Sequence, residues 1–331
     1  MLLSLFSGCG GLDLGFEQAG FSTGLAYDIR PHSVLSWNRN RPKHPVARVT
    51  DIRTLSVAEM DADHGRQFSP KGVVGGPPCQ SFTNANSSKR ADDPRSELVA
   101  RFFKIALDLH TRSPLDFIVM ENVPELATER YKSTLAPQIA ALEQSGFVCS
   151  QAILNAKNFG VAQSRRRLFL VALNKKVYGG RKWTEPTKLD TIIDVRKAIG
   201  GLPSPTFYSR GLEPSQIDYH ANHWCMVPKS PKFGTALLLE GKSTGRSFKK
   251  LDWDRPSFTV SYGHREVHVH PDATRRLSVH EAMLLQGFPK KFTLEGSLSS
   301  QITQVSEAVP PPMARVIAES IKATATAGVP R

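Results

Sequence analysis

The first 175 residues repeat one rhythm: a short apolar run, then a stretch whose apolar residues recur at helical spacing. LLSLF (2–6), GLAYD (24–28), VVGG (73–76), FIVMEN (117–122) and LFLVAL (168–173) have the length and aliphatic content of buried strands. LDLGFEQAG and SELVARFFKIALDLH, between them, carry the helical period. A chain alternating in this way must cover both faces of a sheet with helices, which predicts an α/β fold with a doubly wound, mostly parallel, Rossmann-like sheet. Ligands of such sheets bind beyond the carboxyl ends of the strands. That rule selects Ser7–Gly11, Asp28, Gly75–Cys79 and Glu121–Asn122.

The texture changes near residue 177. YGGRKWTEPTK, GGLPSPTFYSRGLEPS and MVPKSPKFG are rich in Gly, Pro and Ser, which predicts a smaller module of loops and short strands. The closing stretch PPPMARVIAESIKA regains helical spacing, with prolines where a helix start tolerates them. The expected division is 1–178 with 303–331 as one domain and 179–302 as the other. The net charge of +13 is uneven: Lys175 to Ile302 holds 20 basic and 12 acidic residues, leaving +5 for the rest. A basic second module favours a polyanionic partner, nucleic acid above all, over a merely solvated surface.

Cys9, Cys79, Cys149 and Cys225 lie far apart and form no CxxC, so neither a zinc site nor a disulfide framework is expected. The opening MLLSLFSGCGG is too short for a secretory core and lacks a basic start, and no run approaches a membrane span. The expectation is a soluble cytoplasmic protein with no membrane association and no metal. EGKSTGR resembles a phosphate loop, but Ala236 stands where its first glycine is required. HREVHVH offers His264, His268 and His270 without a recognisable metal spacing, and these are read as solvated or DNA-facing.

FSGCGGLDLGF follows the first strand and enters a helix; its glycines allow a ligand close to the backbone. It is not GxGxxG, because Asp13 occupies the third glycine position. Asp28, ending the second strand, suits a carboxylate that accepts from ribose hydroxyls. GGPPCQSF fixes the backbone around Cys79 with Pro77 and Pro78 and clears space with Gly75 and Gly76, as a thiolate nucleophile needs. Glu121, ending an apolar strand, should feel desolvation that raises its pKa and suits it to share a proton. QSRRRLFL sets Arg165 and Arg167 two apart, so an extended segment turns both to one side.

In this order, these segments resemble the cytosine-C5 DNA methyltransferases of bacterial modification systems, along nearly the whole chain. FSGCGGLDLGFEQAGF matches the family's first motif and GGPPCQSF its Pro-Cys signature. DPRSEL, ENV, QSRRR, RRLSVHEAMLLQGFP and QVSEAVPPPMARVIAESI fill later ones. Two positions depart from the pattern. Asp28 and Ile29 stand where many members have Glu and an aromatic, and Glu307 replaces the Asn of the usual GNAVP.

The resemblance implies a methyltransferase fold binding S-adenosylmethionine, with Phe6 on the adenine, Asp28 on the ribose, and Gly8, Gly10, Gly11, Ile29, Asp51, Ile52, Pro78, Leu98 and Glu307 completing the pocket. It implies Cys79 as nucleophile toward C6 of cytosine, Glu121 on N3, and Arg165 with Arg167 on O2. Double-stranded DNA is the implied substrate, with the target base flipped out. The polar stretch after Cys79 would close over the DNA, through Gln80, Ser81, Lys89, Arg90 and Arg95. Lys242, Arg246, Lys249, Lys250 and Arg265 would make contacts from the second module. A monomer near the bacterial nucleoid, with a cognate restriction endonuclease as genetic rather than physical partner, completes the expectation. Its rivals are a tRNA cytosine-C5 methyltransferase and a catalytically inactive DNA-binding relative; a nicotinamide-dependent enzyme explains neither PPCQ nor the basic module.

Overall fold

The run LLSL forms β1 (Leu2–Leu5), buried along its whole length as an interior strand of a seven-stranded sheet. The computed structural model describes residues 1–78, 96–235, 238, 248–259 and 268–326. The chain divides into two compact units, Met1–Leu154 with Arg166–Thr187 and Ala314–Arg331, and Asn155–Arg165 with Lys188–Met313.

The first unit holds the sheet. β2 (Thr23–Asp28), β3 (Ala47–Val49), β4 (Gly72–Gly75), β5 (Phe117–Asn122), β6 (Phe147–Asn155) and β7 (Arg166–Asn174) join β1 in the order β3-β2-β1-β4-β5-β7-β6. β1 pairs in parallel with both β2 and β4, and β4 in parallel with β5. The chain therefore winds outward in both directions from β1 and β4, which creates the crevice where such sheets bind ligands. β7 runs antiparallel to β5, in the register Asn122↔Leu168 to Phe117↔Leu173. Only residues 156–165 separate β6 from β7, short for the helical crossover that a parallel connection requires.

Continuous apolar strands demand cover on both faces. α4 (Ser96–Arg112) packs Val99, Phe102, Phe103, Ala106 and Leu109 against Leu3, Leu5, Val73, Ile118 and Met120 in one cluster. α1 (Gly11–Gln18) brings Phe16 over Phe117, ring centroids 6.2 Å apart, and Phe21 meets Phe117 edge-on at 5.4 Å. α2 (Pro31–Arg39) buries Val34 and Trp37 against Ala26 and Ala47. α3 (Val57–His64) starts at Ser56 with a capping box to Glu59. α5 (Lys132–Gln144) precedes β6, and α6 (Lys175–Tyr178) follows β7. The last helix, α10 (Pro311–Thr326), is tied to the first unit where Trp183 Nε1 donates to Ser320 Oγ at 2.8 Å.

The second unit has α7 (Val195–Ile199), α8 (Val279–Leu285) and α9 (Leu298–Glu307), with two-residue strands in two parallel pairs, β8 (Thr206–Phe207) with β9 (Trp224–Cys225) and β10 (Lys249–Lys250) with β11 (His268–Val269). Val195, Ile199, Leu251, Leu277 and Leu285 form its core. Two histidines expected to face solvent or DNA do neither: His268 and His270 are buried, and His270 Nδ1 lies 3.2 Å from Asp272. Val269 between them is buried too, so this short segment is covered on both sides. His264 lies outside the described residues.

Candidate active site

Directly after β1, the backbone takes three left-handed residues in five, Phe6 (φ 55), Gly8 (φ 55) and Gly10 (φ 87). A bulky residue such as Phe6 seldom adopts this conformation, and such strain collects at functional sites. Asp28, buried at the end of β2, accepts the Gly8 N–H at 2.9 Å through Oδ2 and the Arg30 N–H at 2.9 Å through Oδ1. A carboxylate has about four acceptor positions, so capacity remains for hydroxyl donors. Gly10 caps α1 without a side chain, so no side-chain oxygen takes up the first helical N–H groups. Beside Asp28, Ile29 is 58% exposed, an apolar surface next to an acceptor.

The other predicted pocket residues differ in kind. Asp51 is held by Arg53 through a fork of hydrogen bonds, the shortest 2.6 Å, and these hold its carboxyl below the usual range. Ile52 is a core residue, and its carbonyl accepts from Arg101 Nε at 3.0 Å. Leu98 is half-buried on α4, Gly11 is buried at the start of α1, and Pro78 ends the described segment that follows β4.

The ends of β4 and β5 are joined side chain to backbone. Asn122 donates through Nδ2 to the carbonyl of Pro77 at 3.1 Å, while its Oδ1 accepts the Val123 N–H at 2.8 Å. The Pro-Pro bend is thus fastened to the next strand. Glu121 lies alongside: a Cβ on Gly76 would come within 3.1 Å of its Oε2. Its Oε1 is 3.0 Å from Arg167 Nε, with side chains 10% and 15% exposed. The Asn122↔Leu168 pairing sets Arg167 one residue beyond the end of β5.

Arg165 is buried in the second unit, where its carbonyl accepts the Ala156 N–H at 2.9 Å. Glu307 is the exposed last residue of α9. Lys249 and Lys250 form β10, with Lys249 Nζ 5.9 Å from the Phe258 ring. Cys79, Gln80, Ser81, Lys89, Arg90, Arg95, Lys242, Arg246 and Arg265 lie outside the described residues. Burial pushes the thiols of the described cysteines, Cys9, Cys149 and Cys225, up to about 12, so none of them is a thiolate at neutral pH.

Several working residues escaped the sequence reading. In the second unit, Gln163 donates to Gln286 Oε1 at 2.8 Å, and Gln286 Nε2 donates to the carbonyls of Val305 (3.0 Å) and Ala308 (2.6 Å). One buried amide therefore ties QSRRR, LQGFP and SEAVP together. Arg275 grips Glu281 with two hydrogen bonds of 2.8 Å. Burial opposes ionisation of Glu281, but these bonds and the Ser278 N–H outweigh it and lower its pKa. The signal was present for Gln163 and Gln286, a polar residue within each recognised motif, but their 123-residue separation hid the pairing.

A sheet in this order, with β7 reversed and a glycine loop at the switch point, is a fold found in solved methyltransferase structures. Among solved structures, it is similar to a protein assigned as a DNA modification methyltransferase encoded within an E. coli prophage (TM-score 0.76, 21% identity, 97% of this chain and 98% of that one). It is also similar to the S. pombe Dnmt2 methyltransferase (TM-score 0.65, 18% identity, 98% and 97%). The chain belongs to the C-5 cytosine-specific DNA methylase family, whose sequence model matches residues 1–323. Type II methyltransferase M1.HphI of Haemophilus parahaemolyticus is 33% identical over 333 residues, covering 96% of this chain and 86% of its own. Type II methyltransferase M.FnuDI of Fusobacterium nucleatum is 29% identical over 348 residues, with coverage of 98% and 95%.

Proposed function

We propose that this cytosine-C5 DNA methyltransferase modifies one cytosine in a specific double-stranded sequence, through a covalent bond between Cys79 and C6, as the modification enzyme of a restriction-modification system. The observation that carries the reading is the Glu121–Arg167 pair at the end of β5, beside the Pro77–Pro78 bend that leads into Cys79. The names of the Type II relatives support the biological setting.

The residues after β1 and β2 fit S-adenosylmethionine. The Asp28 carboxylate has acceptor capacity for ribose hydroxyls, Phe6 and the exposed Ile29 offer apolar surface for adenine, and the α1 start lacks a side-chain cap. Asp51, Pro78, Leu98 and the exposed Glu307 are assigned to the same pocket by their motifs. When bound, the cofactor supplies an electrophilic methyl group.

Carbon 5 of cytosine is a weak nucleophile, so the chain's residues must first disturb the ring. The Cys79 thiolate adds to C6. Glu121 hydrogen-bonds N3 and passes it a proton as the thiolate adds, and Arg167 holds the carboxylate left behind, so C5 becomes electron-rich. Arg165 is assigned to O2 by its place in QSRRR. Loss of the C5 proton to water, then expulsion of the Cys79 thiolate as N3 returns its proton to Glu121, frees the enzyme. Inside a duplex the base is stacked and out of reach, so it has to be flipped out. Residues 179–302 would read the site, with Lys249 and Lys250 among the phosphate contacts, and affinity should fall steeply with salt. The enzyme would act as a cytoplasmic monomer on nucleoid DNA, with an endonuclease as its genetic partner. Among the described residues, no helix is long and apolar enough to cross a membrane.

The test is single-turnover incubation with duplex DNA carrying 5-fluorocytosine. The wild type should form a denaturation-resistant adduct and Cys79→Ser none. If labelled methyl enters tRNA instead of DNA, or no adduct forms, the reading fails.

A further inference from the structure

Resting on the cofactor reading above, we infer that Arg41 is a positioning residue that holds the glycine turn in its binding shape and thereby sets cofactor affinity. Arg41 follows α2, in a stretch (WNRNRP) without a motif. It reaches back to the loop between β1 and α1. Its Nη2 donates to the Gly10 carbonyl at 3.1 Å and its Nη1 to the Trp37 carbonyl at 3.3 Å. Its Nε lies 2.9 Å from both carboxylate oxygens of Glu17 on α1, and the guanidinium sits 4.1 Å from the Trp37 ring centroid. The side chain is 10% exposed. A planar, always-charged fork can meet a carbonyl, a carboxylate and an aromatic face at once, whereas a lysine cannot.

What Arg41 holds is the residue on which the turn depends. Gly10 is left-handed, and its carbonyl also accepts the Leu14 N–H at 2.9 Å, the first bond of α1. A Cβ at Gly10 would meet Trp37 Cδ1 at 2.5 Å and Arg41 Nη1 at 2.8 Å, so the cation and the indole pack directly on the glycine. The turn is thus gripped at two points, Gly8 by Asp28 and Gly10 by Arg41. Asp28 is the point the cofactor would share. Arg41 makes its bonds to the loop's own carbonyl, to α1 and to α2, so its contribution is to order the turn before binding. Ordering a loop in advance raises affinity by removing a cost otherwise met on binding. A buried carboxylate lies under the same turn: burial pushes the Asp13 carboxyl up to about 6, against the pull of Arg41.

The experiment uses the full chain with Arg41→Met and Arg41→Lys. Titration calorimetry measures S-adenosylhomocysteine binding, steady-state kinetics measures S-adenosylmethionine turnover, and hydrogen exchange follows the peptide spanning Gly8–Leu14. One charge-assisted hydrogen bond and a stacked cation predict a rise in Kd and in cofactor KM of about tenfold or more for Arg41→Met. At saturating cofactor kcat should stay within about twofold, because the chemistry at Glu121 is untouched. Arg41→Lys keeps the charge beside Glu17 and so folds, but should recover only part of the affinity. Exchange should quicken in that peptide and not in β5. A fall in kcat with KM unchanged, tracking the folded fraction, would mean a purely structural role and overturn the inference. So would wild-type affinity in Arg41→Lys alongside normal exchange. If the wild type binds neither cofactor nor product, the cofactor reading itself falls, and this inference with it.

Discussion

Two adjacent glycines should fail in different ways when each is given one methyl group. A Cβ on Gly75 would stand 2.3 Å from the Leu5 carbonyl and 2.9 Å from Phe102 Cε2. Leu5 and Gly75 are register partners in the β1–β4 ladder, so the obstruction is backbone at the centre of the sheet. Overpacking there should cost about 3 kcal/mol or more, a large share of the roughly 5–15 kcal/mol that holds a folded protein together. A Cβ on Gly76 meets instead the far end of a side chain, Glu121 Oε2 at 3.1 Å. The carboxylate can retreat by a few tenths of an ångström, at a stability cost of less than about 1.5 kcal/mol. That retreat misaligns a group proposed to hydrogen-bond the reacting ring. Losing a charge-assisted bond worth about 1.5–3 kcal/mol slows the step about 10- to 100-fold. Thermal melts and single-turnover methylation of the two variants separate the cases. Gly75→Ala should melt about 6 °C or more below wild type, and Gly76→Ala close to it with the rate reduced. Full activity in Gly76→Ala would refute the proposed role of Glu121, and a wild-type melt for Gly75→Ala would refute the packing at the centre of the sheet.

Arg167→Ala leaves the mostly buried Glu121 carboxylate without the partner now 3.0 Å away, and single-turnover rates should fall on the order of 100-fold, with partial recovery in Arg167→Lys. In the second unit, burial and the charges of His220, His223 and Lys290 hold His280 down at about 3, with the His220 ring stacked 3.9 Å away and Tyr219 edge-on. A histidine depressed on folding leaves stability intact above the unfolded value near 6.5 and withdraws it as pH falls from there toward 3. Urea melts at pH 7.5 and 5.5 should show wild type losing on the order of 1 kcal/mol over that interval and His280→Gln losing less; parallel losses would acquit this histidine.

What the sequence disclosed followed from periodicity and from strand ends. The runs at β1, β2, β4, β5 and β7 are apolar because both faces of the sheet are covered, and the candidate site residues lie at the carboxyl ends of the first four and at the start of the reversed β7. β3, with three residues, is too short for such a signal, and β6 alternates buried and open positions around polar Ser150 and Gln151. Arg41 was hidden for a different reason. Its worth lies in reaching a carbonyl 31 residues away, and nothing in WNRNRP distinguishes it from the exposed Arg39. Ile52 was expected at the pocket because its motif lies there, yet an isoleucine after a strand can turn into the core as readily as toward a ligand.

The direction of β7 is the clearest case of information that composition cannot carry, and the site depends on it. LFLVAL reads the same whichever way the strand runs. Had β7 lain parallel to β5, its first residues would sit at the opposite edge of the sheet. Six residues of strand at about 3.3 Å each would then separate Arg167 from Glu121 by roughly 20 Å. The short 156–165 connection and the antiparallel register bring the start of β7 to the carboxyl end of β5. An otherwise parallel fold thereby acquires a cation at the edge where Glu121 stands. Arg167 follows Arg166, whose exposed side chain shows that charge alone did not decide which arginine would serve. Strand alternation decided it: of two neighbouring arginines, only one can turn toward Glu121, and here that residue is Arg167.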